Sequence, residues 1–153
     1  MPAQENETLA LDEPWSFVRF RKNKRWVWLA LCRRTRQIVA YVIGDPSEAT
    51  CRVLWERVPV AYRSGTLYTD FWNAYAALLP QEQHAAVGKG SGQTNHIERW
   101  NNTLRQRLAR FVRQTLSFSK CEQMHETCLR LFLHDYNLQQ RAKYLKAQND
   151  NAN

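Results

Sequence analysis

The run Trp26-Val27-Trp28-Leu29-Ala30-Leu31-Cys32 constrains this chain more than any other segment. An uninterrupted apolar stretch of strand length does not suit a sheet with one wet face. It suits a strand buried on both faces, and such a strand needs helices packed above and below it. The flanking segments agree. Leu9–Phe20 reads as a strand interrupted at Pro14, and Gln37–Ile43 as a third strand stopped by Gly44-Asp45-Pro46. Ser47 is placed to cap a helix running to about Val58. Gly65–Thr69 reads as a fourth strand, Phe71–Leu79 as a short helix ended by Pro80, and His84–Val87 as a short fifth strand. The stretch Gly88-Lys89-Gly90-Ser91-Gly92 reads as flexible.

Two helices complete the pattern. One spans about His96 to Val112, with Ile97, Trp100, Leu104, Leu108 and Phe111 as its apolar stripe. The other is long, from about Ser119 to Leu145. A three-strand meander, helix, strand, helix, strand and final helices is the element order of an α/β, ribonuclease-H-like fold. Its mixed sheet is flanked by helices and extended by a long C-terminal helical region. Residues 1–8 are expected to be a flexible leader, 9–147 the domain, and 148–153 a disordered tail.

Charge narrows the function. The formal net charge is +8, and the basic residues cluster. Arg19, Arg21, Lys22, Lys24, Arg25, Arg33, Arg34 and Arg36 form one stretch with no acid among them. Arg99, Arg105, Arg107, Arg110, Arg113 and Lys120 form a second. Two such stretches point to a polyphosphate partner, DNA above all, against the simpler reading of solvated strand edges. No segment has the length and apolarity of a membrane span. Acids at Glu5 and Glu7 stand where a secretory signal carries bases, and the four cysteines form no disulfide framework. A cytoplasmic, nucleoid-associated protein is the expectation.

Three acids then stand out, each at the end of a different element: Asp12, Asp70 and Glu98. Hard divalent cations take carboxylate oxygens, and two-ion phosphoryl transfer places one ion at the attacking and one at the leaving oxygen. Each acid also has a plainer explanation. Asp12 is open to exchange with its neighbour Glu13 at an exposed strand end. Asp70 suits a helix N-cap. Glu98 suits a capping box, with Asn95 as the cap. Arg105 lies seven residues past Glu98, two helical turns on and on nearly the same face. It suits phosphate binding and is too basic to act as a general base. Cys121, His125 and Cys128 share a helix face, but packing explains them better than zinc. No Ser-His-Asp or Cys-His nucleophile arrangement is evident, and the glycine-rich stretch lacks the phosphate-loop pattern.

The segments Leu11-Asp12-Glu13, Tyr68-Thr69-Asp70-Phe71-Trp72-Asn73-Ala74-Tyr75 and Asn95-His96-Ile97-Glu98-Arg99-Trp100-Asn101-Asn102-Thr103-Leu104-Arg105 together resemble the insertion-sequence-one family of bacterial transposases. The resemblance runs from about Leu9 to about Gln139. It implies a ribonuclease-H-like catalytic core with an Asp-Asp-Glu triad, picking Asp12 over Glu13 and joining it to Asp70 and Glu98. Two Mg²⁺ ions are the implied cofactors, with Mn²⁺ as a substitute.

The resemblance also implies an upstream zinc-binding, helix-turn-helix region that recognises element ends. No CxxC pair precedes Asp12 here, so fusion or association with such a region is the expectation. Acting on two ends requires a homo-oligomer in the active complex. Arg105, and the flanking Arg19, Arg21, Lys22, Lys24, Arg25, Arg107 and Arg110, are the expected DNA contacts. A structure-specific nuclease or resolvase of the same fold, and a non-catalytic DNA-binding regulator of a mobile element, are the alternative readings.

Overall fold

A computed structural model describes residues 1–70, 73–88 and 91–151. Its sheet has six strands: β1 (Leu9–Asp12), β2 (Trp15–Phe17), β3 (Lys24–Cys32), β4 (Ile38–Gly44), β5 (Leu67–Thr69) and β6 (His84–Ala86). The predicted first strand is divided where Pro14 cannot donate a ladder hydrogen bond. Both pieces pair antiparallel with β3, Leu9–Asp12 against Leu29–Cys32 and Trp15–Phe17 against Lys24–Trp26. The Pro14 carbonyl accepts from the Val27 amide between them. β4 closes the other edge of β3, which is why the apolar run is the most buried strand of the sheet.

Beyond β1 the sheet turns parallel, with β5 next and β6 outermost. Leu9 pairs with Leu67, so counting three residues along each strand sets Asp12 level with Asp70. Gly65 permits the close approach that starts this pairing. A Cβ there would fall 1.7 Å from the Glu7 carbonyl oxygen.

Helices cover both faces. α1 (Glu48–Arg57) and α2 (Asn73–Leu78) pack on Leu9, Leu11, Trp28 and Val42. α3 (Asn95–Arg107) and α4 (Glu122–Asp150) pack on Ala10, Val27, Leu29 and Leu31. Alternate residues of β1 therefore serve opposite cores, as the pleat requires. Ser47 caps α1, its hydroxyl accepting from the Thr50 amide. No helix among the described residues is long and apolar enough to cross a membrane.

Several local expectations change. The third helix ends at Arg107, and a separate 3₁₀ turn, Ala109–Phe111, carries Phe111 back to the core. The last helix continues to Asp150, so residues 148–150 are helical where a tail was expected, and residues 152 and 153 lie outside the described residues. The polar N-terminal segment lies against the domain. Glu7 is buried and ion-paired with Arg34, and Tyr62 donates to the Met1 carbonyl. The described part of the short helix is Asn73–Leu78; the expected start at Phe71 lies outside the described residues, as do Trp72 and Lys89 and Gly90 of the glycine-rich stretch.

Candidate active site

Asp12 ends β1 with its carboxylate toward α3. Asn101 donates from Nδ2 to Oδ2 at 2.5 Å, and the Glu13 amide donates to Oδ1 at 2.8 Å. Glu13 points to the other layer, where it accepts from the Tyr75 hydroxyl of α2 at 2.5 Å. The two adjacent acids thus have different partners, although Glu13 lines the same cleft as Asp12. Asp70 follows β5 on the neighbouring strand, and Glu98 lies in the first turn of α3. Asp12, Asp70 and Glu98 line one cleft of about 460 Å³, together with Asn102, Arg105 and Arg113.

The capping-box reading of Glu98 does not hold as drawn. The helix cap is Thr94 and not Asn95, and it makes no side-chain bond to the helix amides. The Thr94 hydroxyl instead donates to Glu98 Oε1 at 2.9 Å, which holds the carboxylate at the cleft.

The cleft strains its own acids. Burial pushes the Asp12 carboxyl above its ordinary range, and the negative charges of Asp70 and Glu98 push it the same way. Burial raises Glu13 to about 8, with Asp12 and Asp70 adding to the shift against the Tyr75 hydrogen bond. Arg105 is lowered by burial and by the Arg113 cation, while the Asp12 charge favours its protonated form. An arginine so placed remains a cation at neutral pH. Among the described residues, no His, Cys, Asp or Glu side chains stand close enough to form a ready-made metal site.

The expected basic contacts divide into four groups. Lys24 lies over the Trp15 ring at 4.7 Å and near Trp26 at 5.9 Å, and both tryptophans line the cleft. Arg113 lies over the same Trp15 ring at 4.9 Å. Arg19 and Arg21 border a neighbouring groove that shares Arg113 with the cleft. Lys22 is exposed in the turn between β2 and β3.

Arg25, Arg107 and Arg110 lie elsewhere. Arg25 is ion-paired with Glu122 of α4. Arg107 donates to Gln139, and Arg110 faces the surface around Lys120 and Met124. Asn101, Thr94 and Trp15 line the cleft without having been expected there, and Arg113 was expected only as part of the second basic stretch. Asn101 stands three residues past Glu98, which helical periodicity puts on the same flank. The stacking of Arg113 on Trp15 has no local signal.

His125 confirms a packing role for its helix face. Its ring bonds Ser16 and Ser119, each at 2.8 Å, and stacks on Phe111 at a centroid distance of 4.2 Å. Cys121 is exposed where His125 is buried.

The sequence signature described as IS1 transposase matches residues 8–139. The chain is 34% identical over 126 residues to the insertion element iso-IS1n protein InsB of Shigella dysenteriae, covering 82% of this chain and 93% of that protein. It is likewise 34% identical over 124 residues to the IS1 protein InsB of Shigella flexneri, covering 81% and 92%. Among solved structures, the HTLV-2 integrase catalytic core domain, in complex with magnesium and in trimeric form, superposes with a TM-score of 0.52. It does so at 12% identity, covering 72% of this chain and 74% of that one. That likeness establishes the fold as ribonuclease-H-like. The signature and the relatives span the cleft-forming strands and helices, and the chain belongs to the IS1 family of transposases.

Proposed function

We propose that the cleft of Asp12, Asp70 and Glu98 is where this transposase cuts and joins DNA strands, with two magnesium ions held by those three acids. One observation carries the reading: three acids from three separate elements line a single cleft in which Asp12 is buried against the charge of the other two. Cations relieve that repulsion. The donor chemistry suits Mg²⁺, and Mn²⁺ as a substitute, because every candidate ligand is a carboxylate oxygen. The integrase core of similar fold was solved with magnesium.

When bound, such ions would supply an activated water and charge neutralisation at the leaving oxygen. The chain supplies the rest. Asn101 and the Glu13 amide fix the Asp12 carboxylate, and the Thr94 hydroxyl fixes that of Glu98. Arg105 holds the phosphate of the strand being cut. Lys24 and Arg113, braced on Trp15, make a cationic wall for the rest of the strand. The freed 3′ hydroxyl stays in the cleft and attacks target DNA, so no protein nucleophile is needed. Two element ends require at least a dimer in the active complex, and a zinc-binding, helix-turn-helix region, fused or associated, reads their sequence.

The test is substitution at constant shape. Asp12→Asn, Asp70→Asn and Glu98→Gln should each abolish cutting and the joining of pre-cleaved ends, with melting curves preserved. Normal cutting by any folded variant removes that residue from the site. Hydrolysis without joining in the wild type would indicate a nuclease.

A further inference from the structure

Beside the cleft lies a groove of about 520 Å³ with an unusual rim. Phe20 is 64% exposed at the β2–β3 turn, and Leu116 is 98% exposed on the segment joining α3 to α4. They face the same groove, floored by Phe17 and Phe118, whose rings stand 5.9 Å apart. Large apolar side chains this exposed carry no benefit for the isolated domain, so they point to a partner.

The two segments are held together. Val18 pairs with Ser119 as an isolated bridge, the Arg19 amide donates to the Ser119 carbonyl at 2.7 Å, and Arg19 Nε donates to the Lys120 carbonyl at 2.6 Å. Arg19 adopts φ = 61°, a left-handed conformation that costs a non-glycine residue about 1 kcal/mol or more. The tight turn that follows presents Phe20 outward.

The rim identifies the partner's chemistry. Arg19, Arg21 and Arg113 surround the apolar floor, and no acid lines the groove. Arg113 belongs to both the groove and the cleft, so one continuous surface leads from the acids to Phe20. A protein partner or a second copy of the chain accounts for apolar contact alone. A nucleic-acid strand accounts for contact and charge together, phosphates on the arginines and a base against the apolar floor. Side chains like these unstack a duplex when they insert between bases.

We propose that Phe20 and Leu116 form a wedge that unstacks the duplex next to the bond being cut, and that the groove holds one unpaired base. The proposal rests on reading the cleft as the strand-cutting site. It assigns the arginines of the first basic stretch to strand separation as well as to affinity.

Duplexes spanning the junction of an element end and its flank, with 2-aminopurine placed in turn at the pairs beside the cut, report unstacking as a rise in fluorescence. The full chain carrying Asp70→Asn should give that rise while leaving the duplex whole, and adding Phe20→Ala and Leu116→Ala should abolish it. In the cutting-competent chain the same pair of changes should slow cutting of intact duplex by roughly fivefold to a hundredfold, the range for loss of one base stack. A substrate mispaired at the reporting position should restore the rate. Both side chains are exposed, so the melting temperature should not move. Absence of any fluorescence rise with Asp70→Asn, or a rise unchanged by the double substitution, overturns the proposal. Loss of self-association in sedimentation by the double variant does so too, because it assigns the patch to a second copy. Failure of the cleft reading shows separately, as normal cutting by Asp70→Asn.

Discussion

Glu13→Gln separates the two adjacent acids more sharply than any other change. Glu13 titrates near 8 in the folded chain against an ordinary value of 4.5. The folded state therefore binds this proton more tightly than the unfolded state between those values. Stability from this group is full below about pH 4.5, falls as pH rises, and levels off above about 8. His125 acts with the opposite sign. Burial lowers its pKa to about 4, so its contribution is full above its ordinary 6.5 and is lost as pH falls toward 4.

Between pH 6.5 and 8 only the Glu13 effect of these two remains. Integrating a single proton with a folded pKa of about 8 across that window gives a loss of roughly 1.6 kcal/mol. Glutamine keeps an oxygen to accept from Tyr75 and removes the charge. Urea unfolding in chelator at pH 6.5 and 8 should show the wild type losing that amount, and Glu13→Gln losing less by about the same amount. DNA cutting by Glu13→Gln should persist, since the Glu13 carboxyl, although it lines the cleft, is taken up by the Tyr75 hydroxyl. An unchanged pH dependence refutes the burial argument, and lost cutting in a folded variant moves the ligand role from Asp12 to Glu13.

Other expectations follow from the same geometry. Arg105→Ala should lower the cutting rate more than it weakens duplex binding, measured as kcat against Kd. Replacing Lys22, Lys24 and Arg25 with alanine should shallow the slope of log affinity against log salt by roughly two, at about 0.9 per phosphate, because Arg25 is already paired with Glu122. An unchanged slope would place that turn away from DNA. Asn101→Ala should cost about 1.5–3 kcal/mol in stability at neutral pH, the value of a hydrogen bond to a charged group, and should weaken metal-dependent cutting; a melting curve identical to wild type would discount the bond.

The elements were legible where local pattern decides them. The Trp26–Cys32 run announces a doubly buried strand, and Pro14 announces the break after β1. Asp12 and Asp70 come level because a parallel neighbour follows from the element order. What escaped is what depends on distant partners. Glu98 looks like part of a capping box because Asn95 has the right side chain, yet the chain enters α3 one residue earlier, at Thr94. Arg25, Arg107 and Arg110 carry the same charge as Lys24 and Arg105, but contacts with Glu122 and Gln139 and the placement of the 3₁₀ turn direct them to α4. The polar N-terminus resembles a free tail until Arg34 supplies the partner that buries Glu7.

The pairing of β1 bears on how the cleft breathes. β1 is hydrogen-bonded on both edges, to β3 and to β5, and its apolar residues are fully enclosed. Amides in such a strand exchange with solvent only when the domain opens as a whole, whereas the first turn of a helix frays at a small fraction of that free energy. Asp12 stands at the end of the slowest-opening part of the chain, and Glu98 stands in a first turn whose cap makes no side-chain bond to the helix amides. The strand end that carries Asp12 therefore opens to solvent last, while Glu98, tied to the Thr94 hydroxyl, sits on the turn that exchanges first.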